Sequence, residues 1–266
     1  MSHNDFITVK ELYSGLCEKI PTSLSCDWDN DGLSVCSDSK REVKRILLSL
    51  DPDGYSVDYA VNNSYDCLIS HHPLLFSGLK AVNDIDPTSR KVLKLILGGA
   101  AAMSFHTRLD ALEGGVNDTL CELLGLTNVE VFGQNGETIG RVGYLKSPMP
   151  LDEFASVVKS KLGAPTVTYA SSGRDAYKVA VLGGGGAGDV RAAELTGADT
   201  YLTGELKYHQ LCDAPYSQMN LIEAGHYYTE LPVLEKLKSI ISDVCSESGK
   251  AIPDIDILNV TQIKTY

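Results

Sequence analysis

Positively charged residues are scarce in this chain. Its 23 lysines and arginines stand against 35 aspartates and glutamates, which gives a formal charge of −12 at pH 7. The richest basic stretch, residues 40–45, is itself interrupted by Glu42 and Val43. Nucleic-acid binding depends on clustered lysine and arginine, so no nucleic-acid partner is expected. A local cationic site, such as a bound divalent metal, can still attract an anion.

Paired cysteines and long apolar runs are also missing. The seven cysteines are scattered and form no C-x-x-C pair, so a disulfide framework is not expected. The longest apolar-rich stretch, near residues 93–103, is too short to span a bilayer and is broken by Gly98 and Gly99. The N-terminal residues lack the basic and apolar regions of a secretory signal. These absences predict a cytoplasmic protein with no membrane partner.

Short apolar runs alternate with helical patterns along the chain, which is typical of an α/β protein with a mixed sheet. The patterns predict strands at residues 45–50, 67–70, 100–105, 129–132, 139–145, 178–182, 200–203 and 221–223. They predict helices after an N-cap at Thr8 and at residues 87–97, 116–124, 151–162 and about 227–241.

A change in pattern near residues 125–127 indicates a boundary between domains. Helix-rich units give way there to a predicted hairpin, whose turn is Gln134-Asn135-Gly136. The sequence therefore predicts a first α/β domain formed by residues 1–126 plus 224–266, which carries most of the candidate metal ligands. The second α/β domain is predicted to comprise residues 127–223.

Histidine and carboxylate side chains follow three of the predicted strands. The segments are Ser70-His71-His72-Pro73, His106-Thr107-Arg108-Leu109-Asp110 and Gly225-His226-Tyr227-Tyr228-Thr229-Glu230. Ligands of α/β sheets bind at the carboxyl ends of strands. Adjacent side chains on a strand point to opposite faces, so His71 and His72 can address one site only if the chain turns there. If a helix begins near His226, that residue and Glu230 share one face.

Imidazole and carboxylate groups without thiolates suit zinc, manganese or iron(II), and suit two ions about 4 Å apart bridged by carboxylate and water. A carboxylate can bridge two cations, which makes Asp110 the candidate bridge and His106 a candidate for orienting a ligand or handling a proton. Taken singly, each segment also has an ordinary interpretation. These are one core and one surface histidine at 71–72, a surface aspartate beside Arg108, and a polar first helical turn at 226–230.

A run of glycines at residues 183–188 follows another predicted strand. Gly183, Gly185 and Gly188 satisfy the G-x-G-x-x-G pattern of dinucleotide-binding turns, although glycine runs match this pattern easily. A backbone cradle for an anionic substrate is a second interpretation. The third is a tight turn packed against a neighbouring strand.

In order and combination, these segments resemble the dinuclear-metal-centre family often labelled GTP cyclohydrolase I type 2 homologue, also known as the Ngg1-interacting-factor-like family. The resemblance spans nearly the whole chain. It rests on Trp28-Asp29-Asn30-Asp31-Gly32-Leu33, Ser70-His71-His72-Pro73-Leu74-Leu75-Phe76, His106-Thr107-Arg108-Leu109-Asp110, Gly114-Gly115-Val116-Asn117, Thr203-Gly204-Glu205-Leu206-Lys207-Tyr208-His209 and Ala224-Gly225-His226-Tyr227-Tyr228-Thr229-Glu230. One departure is Asp31, where many relatives have an apolar residue.

The resemblance implies two divalent metal ions (zinc, iron or manganese) in a cleft shared by two α/β domains with mixed sheets. It also implies a homohexamer. The implied metal ligands, at the positions that match the family motifs, are His71, His72, Asp110, His226 and Glu230.

A pair of divalent ions can activate water and polarise an amidine carbon or a phosphorus atom. We therefore expect a metal-dependent hydrolase of a nucleotide or related phosphorylated small molecule, with His106 and Glu205 as candidate catalytic acid–base groups. The GTP cyclohydrolase activity is suggested by the family label alone. The alternatives are a non-catalytic protein for metal handling or interaction, and a dinucleotide-dependent oxidoreductase.

Overall fold

The computed structural model describes residues 5–134 and 136–264. Its helices are α1 (Val9–Lys19), α2 (Gly54–Asn62), α3 (Pro87–Gly98), α4 (Thr107–Ala111), α5 (Val116–Leu124), α6 (Leu151–Leu162), α7 (Val190–Leu195), α8 (Tyr208–Asp213), α9 (His226–Glu230) and α10 (Val233–Glu247). Its strands are β1 (Gly32–Val35), β2 (Arg45–Ser49), β3 (Cys67–Ser70), β4 (Ala101–Ser104), β5 (Thr127–Phe132), β6 (Gly140–Met149), β7 (Thr168–Ala170), β8 (Ala176–Leu182), β9 (Thr200–Thr203), β10 (Asn220–Glu223) and β11 (Asp254–Leu258).

The chain divides into two compact units, and the first comprises Met1–Leu109 and Leu234–Val260. Its mixed sheet has the strand order β1-β4-β3-β2-β11, in which β1 is antiparallel to β4 and the other pairs are parallel. Every residue of the central strand β3 is buried, as expected for a parallel strand covered on both faces. Val57 of α2 and Leu95 of α3 pack with Leu68 of β3 in one core cluster. β3 ends at Ser70, directly before His71.

The second unit comprises Asp110–Val233 and Thr261–Tyr266. Its mixed sheet has the order β5-β6-β8-β9-β10-β7, with a parallel centre formed by β8, β9 and β10. Phe154 of α6 and Leu120 of α5 are buried in a cluster with Val181 and Ile222 of the sheet. The parallel strands β9 and β10 end side by side, with Thr203 opposite Glu223.

The division into units differs from the predicted one at residues 125–127. Helix α5 contributes apolar residues to the core of the second sheet, so the structure divides the chain before α5 rather than after it. The segment after β10 also remains with the second unit as far as Val233. Asp110, His226 and Glu230 consequently belong to the second unit and not to the first.

The predicted strands are all present within a few residues of their expected ends. Thr8 caps α1 in a capping box with Glu11. The helix predicted at about 227–241 is instead two helices, α9 and α10, because Pro232 lies between them and interrupts the helical hydrogen bonds. Asn135 of the predicted hairpin turn lies outside the described residues. Nowhere in residues 5–134 and 136–264 is a helix long and apolar enough to cross a membrane.

Candidate metal centre

Three histidines of the first unit converge at the carboxyl ends of β3 and β4. These parallel neighbours end side by side, with Ser70 opposite Ser104. His71 and His72 follow β3 directly, and the chain leaves the strand there, so both rings reach one place. His106 lies two residues beyond β4. One ring nitrogen from each of the three histidines lies within 4.8 Å of one from each of the others.

Each of these three rings is oriented by an acceptor at its Nδ1 atom. The Nδ1 distances are 2.9 Å from His71 to the Phe105 carbonyl oxygen, 2.8 Å from His72 to Asp51 Oδ1, and 3.0 Å from His106 to Asp29 Oδ1. A carbonyl or carboxylate acceptor places the ring proton on Nδ1, which makes Nε2 the atom that can bind a metal. Histidine ligands of metals in proteins are held in this way.

Asp29 also fixes the backbone around His106. Its side chain is fully buried, and its Oδ2 atom accepts hydrogen bonds from the backbone N–H and hydroxyl of Thr107, at 3.1 and 2.6 Å. Burial raises the pKa of this carboxyl, but the hydrogen bonds from His106 and Thr107 outweigh burial and hold the pKa well below its ordinary value. Asp29 is therefore a carboxylate that positions His106.

Asp31 performs a similar role two residues further on. Its Oδ2 atom accepts from the Arg108 Nε–H at 2.8 Å and from the backbone N–H of His106 at 2.9 Å. Arg108 is buried, and it also donates from Nη1 to the Ile20 carbonyl at 3.2 Å. Burial lowers the pKa of Arg108, but the Asp31 charge and the hydrogen bonds with Cys17, Asp31 and Tyr13 together outweigh burial and raise the pKa above its ordinary value. The departure from the family motif at Asp31 is thus a buried ion pair beneath the histidine cluster.

The second unit carries candidate donors of its own, among which Glu230 lies close to both His226 and Asp110. His226 begins α9 and Glu230 lies one turn later, so His226 Nε2 and Glu230 Oε2 are 3.2 Å apart. A carboxylate oxygen of Asp110 lies within 4.8 Å of one from Glu230. Both carboxylates are buried. Two buried carboxylates beside an imidazole form a donor set that suits a divalent cation.

Glu205 orients His226 as Asp51 orients His72. The Nδ1 atom of His226 lies 3.1 Å from Glu205 Oε1, which again makes Nε2 the metal-binding atom. The Glu205 side chain is 64% exposed, so this carboxylate can also reach solvent. His209 is exposed on α8, and no candidate metal cluster among the described residues includes it.

Close packing explains why glycine is needed at some positions of the run at residues 183–188. Gly184 has a φ of +67°, and a Cβ atom there would lie 2.0 Å from Glu230 Oε1. A Cβ atom at Gly186 would lie 2.3 Å from Thr203 Oγ1 of β9. Gly185 has open space where a side chain would begin. These contacts support the interpretation as a tight turn packed against a neighbouring strand, with Gly184 packed against a candidate metal ligand.

We expect Gly184→Ala to lower the free energy of unfolding by at least about 1 kcal/mol, since alanine disfavours positive φ. The added methyl group would also displace the Glu230 carboxylate, so bound metal should fall. Gly185→Ala is the matched control, because its φ of −86° and open surroundings accept a methyl group. Denaturant unfolding and elemental analysis of both variants check this expectation. Equal behaviour of the two variants would contradict it.

The donor chemistry of both units fits divalent metal. The sequence reasoning found the candidate ligands and Glu205, but it missed Asp29 and Asp51, whose carboxylates orient His106 and His72. The signal for Asp29 was available in the Trp28-Asp29-Asn30-Asp31 motif. Asp51 lies two residues beyond the end of β2 and could have been found as another polar residue near a strand end.

The fold and these side chains define a class of protein. It is a two-unit α/β protein with oriented imidazoles and buried carboxylates at its strand ends. The model of the family described as Duf34/NIF3 (NGG1p interacting factor 3) matches residues 7–257. The chain belongs to the DUF34/NIF3 family.

Relatives of this chain match it over most of their length. A GTP cyclohydrolase 1 type 2 homolog of Clostridium perfringens is 31% identical over 248 residues, covering 91% of this chain and 92% of the relative. Protein NIF3 homolog of Schizosaccharomyces pombe is 34% identical over 222 residues, covering 78% and 79%.

Solved structures share the fold. Staphylococcus aureus hypothetical protein SA1388 has a TM-score of 0.88 at 27% identity, covering 98% of this chain and 100% of that one. Reduced HcgD from Methanocaldococcus jannaschii has a TM-score of 0.82 at 28% identity, with coverage of 96% and 98%.

Proposed function

We propose that this protein is a metal-dependent hydrolase with one dinuclear centre, to which the donors of both units contribute in a shared cleft. The observation that carries the proposal is the orientation of four imidazoles. Each of His71, His72, His106 and His226 has a carbonyl or carboxylate acceptor at Nδ1. Histidines with ordinary core or surface roles would not all have an acceptor at Nδ1. Histidines that bind metals commonly do, because this contact orients the ring.

His71, His72, Asp110, His226 and Glu230 are the proposed ligands of two divalent ions, which can be zinc, iron or manganese. Bound ions of this kind supply Lewis-acid polarisation of the substrate and a water nucleophile that is ionised near neutral pH. All five side chains are of the types that these metals prefer. The family resemblance of the motifs that contain them supports a common centre.

His106 and Glu205 are the proposed acid–base groups. Asp29 orients the His106 ring by accepting a hydrogen bond from Nδ1, which leaves Nε2 as the ring atom that can take up and release a proton. The exposed Glu205 carboxylate can accept a proton from solvent or substrate, although its contact with His226 also makes it a positioning group.

The proposed substrate is a nucleotide or a related phosphorylated small molecule, and the proposed assembly is a homohexamer. The substrate class is suggested by the names of curated relatives, which read GTP cyclohydrolase 1 type 2 homolog. A metal centre would provide the positive charge that a chain of net charge −12 otherwise lacks for binding a phosphate.

Elemental analysis of the purified protein is expected to find two divalent ions per chain, in particles of six times the chain mass by light scattering. The same preparation, supplied in turn with zinc, manganese and iron(II), should hydrolyse at least one member of a nucleotide panel. Bound metal without turnover of any nucleotide would overturn the hydrolase assignment and favour a metal-handling protein. Absence of bound metal under every condition would overturn both.

A further inference from the structure

Two large aromatic side chains stand in solvent beside the histidine cluster of the first unit. Trp28 is 56% exposed and Phe76 is 57% exposed, and their ring centroids lie 6.0 Å apart. Both rings meet His106 in an edge-to-face arrangement, at centroid distances of 6.0 and 6.4 Å. Core packing does not explain an exposed aromatic pair at the rim of a polar cluster, and such pairs mark binding surfaces.

Hydrogen bonds of the neighbouring residues hold the segment that carries Trp28 in place. Its neighbour Asp29 is hydrogen-bonded to His106 and Thr107. The Asn30 side chain donates a hydrogen bond to the carbonyl oxygen of Leu75, which links this segment to the one that carries Phe76. Hydrogen bonds therefore hold the backbone on both sides of the ring pair, while the rings remain exposed to solvent. A preorganised surface of this kind loses little conformational entropy when it binds a ligand.

A cavity of about 540 Å³ adjoins Phe76. Beside the Phe76 ring, its polar lining residues are Ser77, Lys80, Asn83, Asp86 and Thr88. The Asp86 carboxylate is engaged as the N-cap of α3, where it accepts from the Ser89 backbone N–H. Hydroxyl, amide and ammonium groups of this kind bind ribose hydroxyls and phosphate oxygens. The cavity volume lies within the range that accepts a small ligand.

We propose that Trp28 and Phe76 form a subsite for a planar aromatic heterocycle, and that the adjoining cavity takes a phosphorylated sugar attached to it. Flat π-systems stack on exposed tryptophan and phenylalanine irrespective of base identity. The edge contacts to His106 place this subsite beside a proposed acid–base group. The inference rests on the proposed function in one respect, which is that the bound heterocycle is the base of the hydrolysed nucleotide.

Trp28 reports directly on this subsite because it is the only tryptophan in the chain. The protein, stripped of metal with a chelator, is titrated with nucleoside monophosphates while tryptophan emission is excited selectively. We expect saturable quenching below about 1 mM, the upper end of ordinary Michaelis constants. Ribose 5-phosphate, which lacks the aromatic ring, should leave the emission unchanged. N-acetyltryptophanamide in the same solutions corrects for absorption by the nucleotide.

Phe76→Leu retains an apolar side chain and removes the second ring, and it should weaken nucleotide binding about 10-fold. Tyr216→Leu is the matched control, since it removes an exposed aromatic ring from the second unit and should not change the affinity. Trp28→Leu is tested by equilibrium dialysis and should weaken binding by a similar factor. Circular dichroism and sedimentation establish that the variants remain folded and keep their assembly state.

Equal affinity of Phe76→Leu and the wild-type protein, or no quenching by any nucleotide, would overturn the inference. Loss of the assembly in both ring variants, without nucleotide binding by the wild type, would instead assign the pair to a contact between copies. These results are separable from those that test the proposed function. A protein that binds metal and turns over nucleotides without Trp28 quenching refutes the subsite alone, whereas quenching without turnover refutes the hydrolase alone.

Discussion

Glu230→Ala is expected to remove most of the bound metal, and His71→Ala should have the same effect although the two residues belong to different units. Glu230 is buried, lies 3.2 Å from His226 and faces Asp110 within 4.8 Å. Its loss would remove a proposed metal ligand and would leave the Asp110 carboxylate without the cation that it is proposed to share with Glu230. Elemental analysis after gel filtration measures the effect. Both variants should retain well under one ion per chain, compared with the two expected in the wild-type protein.

His209→Ala is the matched control, because His209 is exposed and belongs to no candidate metal cluster among the described residues. It should retain the full metal content. Glu230→Gln keeps the size of the side chain and removes its charge, which separates loss of a ligand from loss of packing. If each single variant kept one ion and lost the other, the donors would serve separate sites. Full metal content in both variants would refute the ligand assignment.

Arg108→Met should lower the free energy of unfolding by about 3–5 kcal/mol, because it leaves the Asp31 carboxylate buried without its partner charge. Both side chains are almost wholly excluded from solvent, and the Nε–Oδ2 distance is 2.8 Å. The guanidinium group also lies 4.6 Å from the centroid of the Phe105 ring, so packing is lost with the charge. Denaturant unfolding at neutral pH measures the change.

Arg191→Met provides the comparison with an exposed pair. Arg191 contacts Glu194 at 2.7 Å, but its side chain is 75% exposed, so removing it should change stability by about 0–1 kcal/mol. The double variant Arg108→Met with Asp31→Leu should regain part of the loss, since it leaves no unpaired charge. Recovery stays incomplete because Asp31 also accepts from the His106 backbone. A loss below about 1 kcal/mol for Arg108→Met would contradict this account.

The parallel strands and the polar residues at their ends could be predicted from the sequence. Runs such as Cys67–Ser70 are short, apolar and bounded, and their buried setting leaves little choice of structure. The donors lie one or two residues beyond these strands, so locating a strand also located His71 and His106. A local sequence pattern was enough to predict a feature when the residues that form it are close together in the sequence.

The partners that orient the histidines could not be predicted in the same way. Asp29 and His106 are separated by 77 positions, and the pairing depends on how β1 and β4 bring their flanking segments together. The two compact units also have other boundaries than the predicted domains, because the apolar face of α5 does not reveal which sheet it covers. Gly184 is a similar case, since its need for glycine arises from contact with Glu230 across 46 positions, and the glycine pattern alone left a dinucleotide-binding turn, an anion cradle and a tight turn open.

The acceptors at the four imidazoles are not chemically equivalent. His71 donates to a neutral backbone carbonyl, whereas His72, His106 and His226 donate to carboxylates. A negatively charged acceptor pushes electron density through the ring toward Nε2, and a neutral one does so less. At the proposed centre, the adjacent rings of His71 and His72 would therefore differ in donor strength, and two otherwise identical ions would differ in Lewis acidity according to which ring each one bound.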